Sequence, residues 1–120
     1  MEVIKMERID TFKIYQERAM RTCSIPYNLK NDMLCHAVFG LTSEAGEVAG
    51  ILQKSYQGHE FDVNHIKKEL GDCLWMIAEA CEALHLDMAD VATTNIEKLK
   101  ARYPDGFDPY KSLHRKEGDI

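Results

Sequence analysis

Residues 34–52 read LCHAVFGLTSEAGEVAGIL, and this stretch decides the fold. Apolar side chains recur in it at alternating spacings of four and three residues, which is the period of one face of an α-helix. They are Leu34, Val38, Leu41, Ala45, Val48 and Leu52. The pattern predicts one long helix from about Asn31 to Gln57, with Gly58 ending it.

Three further segments, one before this helix and two after it, repeat the helical period. They run from about Glu7 to Thr22, from an N-cap at Asp62 to about Leu86, and from an N-cap at Asp87 to Pro104. No segment alternates with a period of two for long enough to predict a strand. The sequence therefore predicts an all-α fold, an antiparallel helix bundle of four main helices, followed by a loose polar C-terminal tail over residues 108–120.

The composition restricts the class of protein. The chain has 120 residues and a net charge of −5, so it has no general attraction for nucleic acid or anionic membranes, and we expect neither as a partner. No window approaches the roughly 20 apolar residues of a membrane span, and no signal peptide is apparent. The four cysteines form no C-x-x-C pair. We expect them to be buried and reduced in a cytoplasmic protein.

Two pairs of carboxylates are the candidates for chemistry. Glu44 and Glu47 lie three residues apart, as do Glu69 and Asp72, so each pair shares a helix face. A turn near Gly58 brings the pairs level, because Glu47 precedes that glycine by 11 residues and Glu69 follows it by 11. Gathered carboxylates repel one another unless a cation neutralises them. Mg²⁺ prefers oxygen ligands and often shares its coordination shell with phosphates, so the pairs predict a Mg²⁺ site.

Two glycines interrupt these pairs, and two other functions fit parts of the pattern. Gly46 and Gly71 are expected to let the two helix backbones approach. Acids three residues apart are also common on solvated helix faces, so a non-catalytic oligomeric helical interaction module is one alternative. A di-iron carboxylate bundle is another, because Glu82 and His85 form a Glu-x-x-His unit. That site requires two such units, and the sequence contains one.

Together these motifs resemble the MazG-like nucleotide pyrophosphohydrolases of the all-α NTP pyrophosphatase group. The signature of that family, E-x-x-E followed by E-x-x-D, is matched by residues 44–47 and 69–72. Residues 40–48 look like the first metal helix of the family, and residues 95–104 look like its phosphate-side helix and closing turn. The similarity covers roughly residues 12–107. It implies that residues 1–107 form a MazG-like helical catalytic domain.

The resemblance implies Mg²⁺-dependent hydrolysis of nucleoside or deoxynucleoside triphosphates at the α–β phosphate bond, with Mn²⁺ as an alternative metal. The products would be a nucleoside monophosphate and pyrophosphate, in the service of the nucleotide pool. Carried over by position, Glu44, Glu47, Glu69 and Asp72 would bind the metal and act in catalysis. Glu44 is favoured as the residue that activates water, although the sequence does not decide this. A homodimer or homotetramer is implied, and both remain open.

Substrate-binding residues are predicted on three helices. Lys54 lies two turns after Glu47 on nearly the same face, where it would reach a phosphate or remain solvated. Asn95, Lys98 and Arg102 form one polar stripe, which would bind the β- and γ-phosphates or face solvent. Trp75, the only tryptophan, would stack on the base or lie in the core, and we favour the core.

Overall fold

The fold is all-helical in a computed structural model, which describes residues 7–26 and 28–119. Five helices follow one another: α1 Phe12–Met20, α2 Lys30–Tyr56, α3 Val63–Ala83, α4 Met88–Arg102 and α5 Pro109–Leu113. None of the described residues is in a strand. The predicted all-α class and its four main helices are confirmed. Residues 1–6, to which the signal-peptide expectation applies, lie outside the described residues, as does Tyr27, which lies between the first two predicted helices.

Side-chain caps explain where two of the helices begin. The hydroxyl of Thr11 accepts a hydrogen bond from the Ile14 N–H at 3.2 Å, so α1 begins at Phe12 and is shorter than predicted. The carboxylate of Asp62 accepts from the His65 N–H at 3.1 Å, and it caps α3 as the sequence predicts. Each cap satisfies an N–H group that has no partner within its own helix.

The C-terminal tail contains a helix that the sequence analysis did not predict. Asp108 caps α5 by accepting from the Tyr110 N–H at 2.9 Å, and Pro109 occupies the first turn, where its missing N–H costs nothing. The expectation of a loose tail is therefore wrong for residues 109–113. A helix of five residues is too short to show the apolar period on which that expectation depended.

Helices α2 and α3 form the hairpin that the carboxylate pairs require. Gly58 has a φ of +101° just after α2, a conformation that L side chains rarely adopt. The chain then turns back, and α3 packs against α2 on one side and against α1 on another. Ala37 of α2 and Ala78 of α3 are fully buried. Small side chains at these positions are consistent with close packing of the helices.

The chain divides into two compact units, Met1–Met88 and Ala89–Ile120. In the first unit, a small core forms around Ala19, Ala78, Cys81 and Met88. No described cysteine is in a disulfide; Cys81 is buried and Cys23 and Cys73 are partly buried, whereas Cys35 is exposed. The expectation that the cysteines are buried is therefore wrong for Cys35. A boundary at residue 107 between catalytic domain and tail stays a prediction.

The second unit is stabilised by a charged pair and an aromatic contact. The Arg102 guanidinium donates two hydrogen bonds, of 3.0 and 2.9 Å, to the two carboxylate oxygens of Asp119. The rings of Tyr103 and Phe107 lie 5.2 Å apart between their centroids. The end of the described tail is thus joined to the end of α4. In the part of the chain that the structure describes, no helix is both long and apolar enough to cross a membrane.

Candidate metal centre

Three of the four predicted metal ligands meet across the α2–α3 hairpin. Glu44 of α2 and Glu69 and Asp72 of α3 each offer a carboxylate oxygen, and these three oxygens lie within 4.8 Å of one another. Glu44 and Glu69 are partly buried, and Asp72 is exposed. The hairpin therefore concentrates negative charge at one place that remains open to solvent.

The gathered carboxylates perturb one another. Desolvation raises the pKa of Glu44 above its ordinary value, and the negative charges of Asp72 and Glu69 raise it further. A hydrogen bond with Glu69 acts in the same direction. Without a cation, protonation of Glu44 reduces the repulsion among the three carboxylates, because like charges in one site disfavour ionisation.

Glu47, the fourth predicted ligand, does not join this group. Its side chain is exposed on α2, and the three clustered oxygens come from other residues. Its charge still raises the pKa of Glu44, as the last of the contributing causes. The structure therefore brings together Glu44, Glu69 and Asp72, and it leaves Glu47 at the edge of their cluster.

Two residues that the sequence analysis did not assign to the site lie beside it. Desolvation raises the pKa of the partly buried Tyr15, and the negative charge of Asp72 adds to the rise. Tyr15 is on α1, and only tertiary packing brings it near. His65 lies one turn before Glu69 on α3, with 3.4 Å between its Nε2 and the Glu69 Oε1. The spacing of four residues was the signal that could have identified this second contact.

The close approach of the two helices occurs at Gly40, a glycine of α2 that lies outside both carboxylate pairs. A Cβ atom on Gly46 or Gly71 would meet no other atom within 4 Å, so the expectation for those two glycines is wrong. A Cβ on Gly40 would instead overlap the thioether of Met76, with its Cε at 2.7 Å. Gly40 accommodates this side chain one turn before Glu44, and Met76 lies one turn after Asp72.

Trp75 packs in the first unit, as we favoured. It is partly buried against the core. Its indole N–H donates to the Ala19 carbonyl at 3.0 Å and to the Thr22 hydroxyl at 2.9 Å. The indole therefore ties α3 to the end of α1.

The predicted phosphate-binding residues have two different environments. Lys54, Asn95 and Lys98 are exposed, the first near the end of α2 and the other two on α4. Arg102 is largely buried, with 9% of its side chain exposed, and it is engaged by Asp119. The stripe predicted on α4 thus contains two solvated side chains and one that stabilises the second unit.

The Glu-x-x-His unit of the di-iron alternative is used differently. The Gln16 amide donates to the Glu82 carboxylate at 3.1 Å and to the Leu86 carbonyl at 3.0 Å, and its oxygen accepts from the Met88 N–H at 2.8 Å. The only cluster of His, Cys, Asp and Glu ligands found among the described residues does not include Glu82. Glu82 instead joins α3 to α1.

Comparison with known proteins assigns the chain to a family. The sequence profile of the MazG nucleotide pyrophosphohydrolase domain matches residues 35–107, which include all four predicted ligands. The Gene 37 protein of Mycobacterium phage L5 is 28% identical in an alignment of 74 positions that covers 58% of this chain and 65% of that relative. The match thus spans just under two thirds of the phage protein. No solved structure matches the chain. The chain belongs to the MazG nucleotide pyrophosphohydrolase domain family.

Proposed function

We propose that this protein hydrolyses nucleoside triphosphates at the α–β phosphate bond with Mg²⁺ as its metal. Water adds across the anhydride, and the products are a nucleoside monophosphate and pyrophosphate. One observation carries the proposal: in a chain of the MazG family, the hairpin gathers the oxygens of Glu44, Glu69 and Asp72 within 4.8 Å. Conversion of triphosphates to monophosphates would give the protein a housekeeping function in the nucleotide pool.

The donor set fits a hard divalent cation. All three groups are carboxylates, and such oxygens are the ligands that Mg²⁺ and Mn²⁺ prefer. Desolvation raises the pKa of Glu44, and the charges of Asp72 and Glu69 raise it further; a cation at this place would relieve the repulsion among these carboxylates. Glu44, Glu69 and Asp72 would hold the ion, with Glu47 as a fourth ligand from the edge of the cluster. When bound, the metal would supply charge withdrawal from the phosphate oxygens and activation of water.

The remaining roles are assigned to residues that the sequence analysis named as candidates. We propose that Glu44 accepts the proton of the attacking water, because its carboxylate is the one from α2 in the cluster found among the described residues. Lys54, Asn95 and Lys98 are exposed and would bind phosphate oxygens. Arg102 would bind a phosphate only if its guanidinium released the Asp119 carboxylate. Trp75 would contact the base only with its indole still hydrogen-bonded to α1.

We propose that the active form is a homodimer or a homotetramer. Large apolar side chains remain exposed on α2, among them Phe39 with 71% and Tyr56 with 94% of their surface accessible. Burial of such surface in an oligomer is favourable. Sedimentation velocity would test this: a monomer at assay concentrations would contradict it.

The decisive experiment is a product assay over a panel of nucleoside and deoxynucleoside triphosphates with Mg²⁺, Mn²⁺ or EDTA. We expect monophosphate and pyrophosphate in equal amounts with either metal and none with EDTA. Release of orthophosphate would contradict cleavage at the α–β bond. An inactive protein whose melting temperature does not respond to Mg²⁺ would favour the interaction module, because a ligand that binds only the folded state must stabilise it.

A further inference from the structure

A hydrogen-bonded histidine–glutamate pair joins α2 to α3 away from the acidic cluster, and the side chain of its His36 member is 48% exposed. Glu79 of α3 is fully buried, and its Oε1 lies 2.6 Å from the Nδ1 of His36 on α2. Its other oxygen, Oε2, is also buried and has no hydrogen-bond partner among the described residues. His36 is therefore the partner on which this buried carboxylate depends.

Such a carboxylate makes the contact strongly dependent on geometry. A buried polar group is costly unless it is hydrogen-bonded, and a charged one is more costly still. Removal of the partner of a buried hydrogen-bonded group leaves that group unsatisfied and is destabilising, whereas replacement of both partners by apolar side chains is often nearly neutral. Any shift of α2 along α3 that separates His36 from Glu79 would therefore be resisted far more than a shift between apolar surfaces.

The pair and the acidic cluster follow the same register of the hairpin. His36 precedes Glu44 by eight residues on α2, and Glu79 follows Asp72 by seven on α3, which is about two turns on each helix. The contact between Gly40 and Met76 lies between them. Three contacts thus follow one another along both helices: His36 with Glu79, Gly40 with Met76, and Glu44 with Asp72. A slip by one turn would part His36 from Glu79 and Glu44 from Asp72 at the same time.

A second contact with α3, to the ring of Trp75, also constrains the orientation of His36. The His36 ring meets the Trp75 ring edge-on, with 6.5 Å between their centroids. The indole of Trp75 is in turn bonded to α1 through Ala19 and Thr22. His36 is therefore placed by two direct contacts to α3, and one of them, Trp75, is itself hydrogen-bonded to α1.

We propose that His36 and Glu79 are positioning residues that hold Glu44 opposite Glu69 and Asp72 before a cation binds. The like charges of the cation-free cluster oppose this alignment, so contacts elsewhere between α2 and α3 must favour it. The pair adds a polar contact to the apolar packing around Ala37 and Ala78. The link to cation binding rests on the proposed function.

The test compares three variants by their affinity for Mn²⁺ alone, measured from the paramagnetic resonance signal of free Mn²⁺. The double variant His36→Leu/Glu79→Leu should melt near the wild-type temperature, yet bind Mn²⁺ about tenfold more weakly or worse, as losses of supporting contacts do. Glu79→Gln keeps an acceptor for His36 and should recover most of the affinity. Gln16→Leu removes a buried tie between α1 and α3, and it should lower the melting temperature without weakening Mn²⁺ binding.

Wild-type Mn²⁺ affinity in a folded double variant would overturn the proposal. If the wild-type protein itself fails to bind Mn²⁺, the proposed function falls, and amide hydrogen exchange of the metal-free proteins then decides about the pair. We expect faster exchange over residues 36–47 and 69–79 in the double variant than in Gln16→Leu. Equal protection in the two would show that the pair does not maintain the register.

Discussion

Two charged clusters among the described residues are built on opposite principles. In the first unit, Glu44, Glu69 and Asp72 bring like charges together. In the second unit, Arg102 and Asp119 bring opposite charges together through two hydrogen bonds. The first arrangement is electrostatically unfavourable by itself, and the second is favourable. Like charges are thus kept close together at the proposed ligand-binding site, whereas opposite charges neutralise each other at a contact that stabilises the second unit.

The largest difference is expected in catalysis. Asp72→Asn removes a proposed metal ligand, so it should lower kcat/KM for pyrophosphate release by more than the roughly 10–100-fold that a supporting residue costs. Asp119→Asn alters the other cluster and should reduce kcat/KM far less. A coupled assay for pyrophosphate measures both. Similar losses in the two variants would show that the acidic cluster has no special role.

Stabilisation by Mg²⁺ should follow the same division. At a hundredfold excess over Kd, a ligand that binds only the folded state adds about 2.7 kcal/mol to the free energy of unfolding. We expect that gain in the wild type and in Asp119→Asn, and its loss in Asp72→Asn. Thermal melts with Mg²⁺ and with EDTA provide the measurement, and an undiminished stabilisation of Asp72→Asn by Mg²⁺ would contradict this prediction.

Without metal, removal of a charge from the acidic cluster should stabilise the protein. The pKa of Glu44 is raised in the folded state, so the fold binds this proton more tightly than the unfolded chain does. Stability is therefore lost as the pH rises from the ordinary value of 4.5 through the raised one. Glu44→Gln should raise the melting temperature in EDTA above that pH range. Glu60→Gln, in the exposed turn, is the matched control and should have no such effect.

The smallest effect, of opposite sign, is expected in the second unit. Hydrogen bonding to Arg102 lowers the pKa of Asp119 below its ordinary value of 3.8. Its contribution to stability is therefore present above that value and is lost as the pH falls through the lowered one. Asp119→Asn should slightly destabilise the protein at neutral pH and weaken this acid dependence. Melting temperatures across the acid range would show it, and greater stability of the variant at neutral pH would contradict it.

The sequence predicted those features that depend on the local period. The spacing of Leu34, Val38 and Leu41 gave α2, and the equal distances of Glu47 and Glu69 from Gly58 gave the hairpin. Three of the four proposed ligands could be grouped in this way because a hairpin with two straight helices has a register that can be counted.

Features that depend on side-chain packing could not be predicted in the same way. Glu47 has the right spacing, but its rotation about α2 leaves it exposed. Gly46 was a reasonable site for close approach, yet the bulk of Met76 is placed at Gly40. Arg102 had the charge and spacing of a phosphate ligand, and its partner Asp119 lies 17 residues later in a tail with no readable pattern.

The single tryptophan is an intrinsic fluorescence probe of helix packing in the first unit. Trp75 is bonded to α1, belongs to α3 and touches His36 of α2. Detachment of α1 would transfer its indole from carbonyl and hydroxyl partners to bulk water, and the emission of the unlabelled protein would shift to longer wavelength. Because the chain has no second tryptophan, every such shift of the emission wavelength originates at the junction of these three helices.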